Sequence, residues 1–70
     1  MKLKELRAAK GWTQRELAAE SGVTRANIAR IETNRVTPEL LTLTRLADAL
    51  GCSIDEIVGR EVAREAGSDD

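Results

Sequence analysis

Between Thr13 and Thr33 the apolar positions are Leu17, Ala18, Val23, Ile28 and Ile31, set among mostly polar residues. At about 3.6 residues per turn this spacing gives each of two short helices one buried stripe. Thr13 is a good N-cap, and Glu16 three residues on closes a capping box for the first of the pair. Ser21-Gly22-Val23 breaks that helix, Gly22 supplying a sharp exit that a Cβ would penalise, and Thr24 is placed to cap the second. Ala18 is small, so two helices joined by so short a turn can approach closely where they cross. The expected unit is a helix-turn-helix.

The same periodicity continues on both sides. A helix is expected from about Leu3 to Lys10, with Leu3 and Leu6 inward and Gly11 at its end. Trp12 precedes the Thr13 cap, where a residue commonly packs on the one four places into the helix, here Leu17, so it reads as a packing residue. Asn34 is the expected left-handed residue closing the helix that Thr24 opens. Thr37-Pro38 then predicts a helix start, Thr as N-cap and Pro in the first position, running to Leu50 with Leu40, Leu43, Leu46, Ala47 and Leu50 on one face. Leu41 falls roughly 160° from the centre of that face. Gly51 ends this helix, and Ser53 with Glu56 forms a second capping box for a short last helix carrying Ile54, Ile57 and Val58. The expectation is one all-α domain of five helices over residues 1–58, then a polar tail, 59–70, partly helical or disordered.

Composition narrows the function. Trp12 is the lone aromatic in 70 residues, there is no histidine, and Cys52 is the single cysteine. That excludes an internal disulfide, removes most metal sites and fits a reducing compartment. No candidate nucleophile lies beside a base, no glycine-rich phosphate loop occurs, and no carboxylate pair converges, so neither an enzyme nor a cofactor is expected. No apolar run approaches the roughly 18 residues that span a bilayer, and Met1-Lys2-Leu3-Lys4 enters an amphipathic helix, so a cytoplasmic, membrane-free protein is expected.

The net charge of −1 conceals an asymmetry. Residues 1–36 hold eight Lys/Arg against four Glu, a balance of +4, whereas residues 37–70 hold three against eight, a balance of −5. Positive potential is therefore concentrated on the helix-turn-helix half.

The spacing Gln14, Leu17-Ala18, Gly22-Val23, Ile28, Ile31-Glu32, with Gly11-Trp12-Thr13-Gln14 leading in and Thr37-Pro38-Glu39-Leu40 following, resembles the lambda-repressor-like helix-turn-helix domains of the Xre family. The resemblance covers Leu3 to Val58 and implies sequence-specific binding of double-stranded DNA by a small transcriptional regulator, with a repressor the expected kind. With Ile28 and Ile31 inward, the outward positions of the second helix of the pair are Arg25, Ala26, Asn27 and Arg30, with Thr24 at its tip. Carried over position by position, the family's base-contacting sites fall on Arg25, Ala26 and Arg30, with Asn27 and Thr24 as further base or phosphate contacts. The resemblance places a phosphate contact at Gln14; Thr13, Thr33, Asn34, Arg35 and Arg15 are the other phosphate candidates. It also implies that Arg7 and Glu32 form a structural salt bridge.

A rival function is a protein-interaction module of antitoxin or anti-repressor type; Arg25 and Arg30 favour DNA over it. One helix reads too few base pairs to select a site in a genome, so a homodimer on a roughly palindromic operator is expected, with Leu41, Val36 and Val58 as its seam. Regulation would come from protein concentration, a partner protein or proteolysis.

Overall fold

The computed structural model describes residues 1–59, which form five α-helices and no strand: α1 (Leu3–Ala9), α2 (Gln14–Ser21), α3 (Arg25–Glu32), α4 (Leu40–Leu50) and α5 (Ile54–Val58). The expected tail lies outside the described residues except for Gly59, which caps the end of α5. Every helix contributes at least one side chain to the fully buried centre: Leu3, Leu17, Ile28 and Ile31, Leu46 and Ile57. Burying an aliphatic side chain of this size contributes about 1.5–3 kcal/mol relative to leaving it in water, so the centre is what holds five short helices together. Val23, Leu43, Ala47 and Leu50 complete the cluster, and Leu6, Trp12, Ala18, Ala49, Cys52 and Ile54 pack against its rim.

The local signals act where the residue types require. Both capping boxes form: the Glu16 N–H donates to Thr13 Oγ1 (3.0 Å) and the Thr13 N–H to Glu16 Oε1 (2.7 Å), and Ser53 and Glu56 do the same for α5. Asn34 has φ 61° and is the one non-glycine residue in left-handed backbone among the described residues. Trp12 sits on the core that contains Leu17, with Lys10 Nζ 5.3 Å from its ring centre. Burial and the nearby Glu56 raise the pKa of the Cys52 thiol, so it behaves as a small packing residue. The Lys2 N–H donates to the Ile57 carbonyl at 2.7 Å, tying the chain's start to α5.

The start of α4 departs from expectation. Its N-cap is Glu39, without a side-chain cap bond, and the helix begins at Leu40 rather than Pro38. The reason is tertiary. The connection leaves the end of α3 and delivers α4 onto α2 and α5. Residues 37–39 are not helical and Glu39 has extended backbone, and an extended residue carries the chain about 3.3 Å, against 1.5 Å in a helix, on the way from α3 to α4. Leu40 is consequently not part of the buried face: it is 70 % exposed, and the stripe begins at Leu43.

Candidate nucleic-acid interface

The pairing of α2 with α3 rests on the turn at Ser21–Thr24. Gly22 has φ 77° and donates its N–H to the Ala18 carbonyl, and the Val23 N–H donates to Ser21 Oγ (3.1 Å), which closes the turn and drives Val23 into the core. Thr24 Oγ1 then accepts from the Asn27 N–H at 3.2 Å and starts α3. Ile28 and Ile31 fix the inner face of α3, which leaves Arg25, Ala26 and Arg30 exposed and Asn27 and Ala29 half-buried. Thr24 is exposed at the tip.

Two open depressions flank this helix. One, of about 470 Å³, is lined by Arg7, Thr13, Gln14, Arg15 and Arg25. At its floor α2 begins, and the Gln14 and Arg15 backbone N–H groups have no acceptor among the described residues. Free N–H groups and the positive end of a helix dipole, ringed by three arginines, form a setting that favours an anion. The other, of about 310 Å³, is lined by Ala29, Arg30, Thr33 and Arg35. Arg15, Arg25, Arg30 and Arg35 have no ion pair or side-chain hydrogen bond among the described residues. Asn34 lies between Thr33 and Arg35, and its left-handed turn carries the Arg35 N–H back to the Arg30 carbonyl (2.8 Å).

Arg7 differs from those four arginines. Its Nε donates to Glu32 Oε2 (2.7 Å), its Nη2 to Glu32 Oε1 (3.1 Å) and its Nη1 to the Trp12 carbonyl (2.7 Å). The Glu32 side chain is only 3 % exposed and that of Arg7 14 %. Gln14 Nε2 donates to Glu32 Oε1 at 2.9 Å. Burial pushes the Glu32 carboxyl up, but hydrogen bonds from Arg7 and Gln14 and the charges of Arg7 and Lys4 outweigh it and hold the pKa below the usual carboxylate value. The acidic residue at the end of α3 is thus neutralised and shielded from the basic surface. The Gln14–Glu32 and Arg7–Trp12 bonds were not foreseeable from the sequence, because they join residues brought together by the crossing of α1, α2 and α3. The Gln14 side chain is committed in part to Glu32, so the anion-binding capacity at this position rests chiefly on backbone N–H groups.

Val36 and Leu41 are 39 % and 59 % exposed, and Leu40 extends the same sequence neighbourhood of uncovered apolar residues. Val58, expected with them, is half-buried at the end of α5. Leu40 escaped the sequence reading because periodicity assigned it to the core face. Among the described residues no group of three His, Cys, Asp or Glu side chains could hold a metal ion, and no helix is long and apolar enough to cross a membrane.

The family described as "Helix-turn-helix" matches residues 3–57, which takes in all of α1 to α4 and most of α5. A prophage-derived, uncharacterized HTH-type transcriptional regulator, YonR, of Bacillus subtilis is 39 % identical over 54 residues, 77 % of this chain and 50 % of the relative. The immunity repressor protein of Bacillus phage phi105 is 38 % identical over 60 residues, 86 % of this chain and 42 % of the relative. An uncharacterized HTH-type transcriptional regulator, y4dJ, of Sinorhizobium fredii is 43 % identical over 53 residues, 76 % of this chain and 69 % of the relative. The chain spans half or less of the length of the first two relatives. No solved structure matches it significantly. With capped helices on either side of a left-handed Gly22, a basic outward face on α3 and a family match over nearly all the described residues, the chain belongs to the lambda-repressor-like, or Xre, helix-turn-helix family.

Proposed function

We propose that this chain is a sequence-specific double-stranded-DNA-binding transcriptional regulator, a repressor in kind, that inserts α3 into the major groove. The observation that carries the reading is the outward face of α3: two exposed arginines without a partner among the described residues, on a helix flanked by two arginine-lined depressions. Arg25, Ala26 and Arg30 face base edges, with Asn27 and Thr24 at the margin of the contact. The α2 start, through Thr13, Gln14 and Arg15, and the segment after α3, through Thr33, Asn34 and Arg35, hold phosphates on either side. The names of the relatives, transcriptional regulators and a repressor, support the same reading over the rival of a protein-interaction module. Family membership places the chain in a non-enzymatic class.

The working form is a homodimer on a roughly palindromic operator, its two α3 helices about 34 Å apart, one helical turn of DNA. Its seam is built from Leu41, Val36 and Val58, with Leu40 added by its exposure. So few apolar residues favour a weak dimer that completes on DNA. It acts in the cytoplasm, where a bacterial or phage operator is accessible, and a protein partner or its own concentration sets its occupancy. Selection of bound duplexes from a random pool at about 0.1 M salt, where phosphate contacts are partly screened, tests the reading. Enrichment of one motif with two-fold symmetry is expected; failure to enrich any duplex would refute DNA recognition.

A further inference from the structure

Given that α3 is the reading helix, we propose that each half-site of the operator carries two G·C base pairs two or three steps apart, one read by Arg25 and the other by Arg30. The outward face of α3 holds few kinds of chemistry. With Ile28 and Ile31 as its buried centre, a wheel of about 100° per residue puts Ala26 in the middle of the opposite face, Arg30 about 50° and Arg25 about 90° away on either side. Ala26 and half-buried Ala29 are small, so the helix backbone can settle deep in the groove between the two long side chains. No carboxylate lies on that face to accept from cytosine N4, and the one amide, Asn27, is half-buried towards its edge.

Among the described residues nothing engages the two arginines. Arg7 shows what a satisfied arginine looks like in this fold, with Nε, Nη1 and Nη2 all donating to Glu32 or the Trp12 carbonyl. Arg25 and Arg30 have no such acceptors among the described residues, so their planar donor forks are available to an external pair of acceptors. Guanine O6 and N7 in the major groove are the pair whose geometry matches that fork, and a good bidentate contact discriminates against other bases by about 5- to 150-fold.

Spacing follows from helix geometry. Five residues advance about 7.5 Å along α3, and stacked base pairs rise about 3.4 Å, which separates the two contacts by roughly two steps; the length of the side chains allows three. Between them Ala26 offers only a methyl, which suits a thymine methyl and rejects nothing strongly.

The test starts from the duplex selected by the full 70-residue chain. Each guanine is replaced in turn by 7-deazaguanine, which keeps Watson–Crick pairing and the phosphates but removes N7, and affinity is read by fluorescence anisotropy for the parent, Arg25→Ala and Arg30→Ala. Alanine removes the fork and every donor to N7, which a lysine ammonium would still supply. Two guanines per half-site at the stated spacing should each lose about tenfold or more in affinity on N7 removal. The loss at one should vanish in Arg25→Ala and at the other in Arg30→Ala. A selected motif without guanines at that spacing would overturn the proposal and leave DNA recognition standing. So would alanine variants in which every guanine still loses affinity on N7 removal as it does in the parent, because the arginines would then be phosphate contacts. No selected duplex at all would overturn both.

Discussion

Glu32→Ala isolates the interaction that joins α1, α2 and α3. The carboxylate accepts from Arg7 Nε and Nη2 and from Gln14 Nε2 at 2.7, 3.1 and 2.9 Å, in a site where its side chain is 3 % exposed. Its removal leaves the Arg7 guanidinium largely buried with one remaining acceptor, the Trp12 carbonyl. Breaking a buried pair by deleting one partner typically costs about 3–5 kcal/mol. Because Arg7 keeps that acceptor and some water contact, we expect about 2–4 kcal/mol here. In a domain of this size that is a Tm lower by roughly 10 to 30 °C. Arg7→Met with Glu32→Leu removes both charges and should recover much of the loss, so the two single changes will not add. The pH dependence has a definite sign. The folded pKa of Glu32 lies below its unfolded value, so the bridge contributes fully above about pH 5 and its contribution falls away as pH drops through the unfolded value near 4.3 towards the folded one. Urea midpoints of parent and Glu32→Gln at pH 7, 5, 4 and 3 should therefore converge on acidification. A Glu32→Ala midpoint within about 0.5 kcal/mol of the parent at pH 7 would mean that this pair behaves like an exposed one, and the argument from burial would fail.

Gln14→Ala removes the Nε2 bond to Glu32 but leaves the α2 backbone N–H groups in place, so it should lower stability by about 1 kcal/mol and weaken binding only slightly, and equally on all duplexes; a change in base preference would contradict this. Arg30→Ala, by contrast, should cost about 1–3 kcal/mol on the selected site and relax preference at one base pair per half-site, as anisotropy on matched and mismatched duplexes would show. Gly22→Val should destabilise by about 1–3 kcal/mol from positive φ alone, since no atom lies within 4 Å of the added Cβ; a urea midpoint equal to the parent's would refute it. Ala18→Leu should cost about 1–3 kcal/mol by overpacking the rim where Ala18 meets the core, again read from urea melts. Leu41→Lys should leave the monomer's stability within about 0.5 kcal/mol, because the side chain is already exposed, but lower the fraction of dimer on DNA in sedimentation.

Much of this protein was legible in its linear pattern because the signals are local. Capping at Thr13, Thr24 and Ser53, left-handed exits at Gly22 and Asn34, and the apolar stripes through Leu17, Ile28, Ile31, Leu43 and Leu46 each depend on residues within about one helical turn. Ile28 and Ile31 likewise determined the outward face of α3, since an inner stripe fixes its opposite by rotation alone. The start of α4 was not decided locally. Thr37-Pro38 is a sound capping signal, but 37–39 stay outside the helix, α4 begins at Leu40 and packs on α2 and α5 from Leu43 on, and Leu40 is left in solvent beside Leu41. The Glu32 hub was also a tertiary outcome. Its donors come from α1 and α2, 25 and 18 residues away in the chain, and only the crossing of the helices brings them together. Hydrogen-bond geometry at that range depends on the relative position of packed helices, which no pattern along one helix encodes.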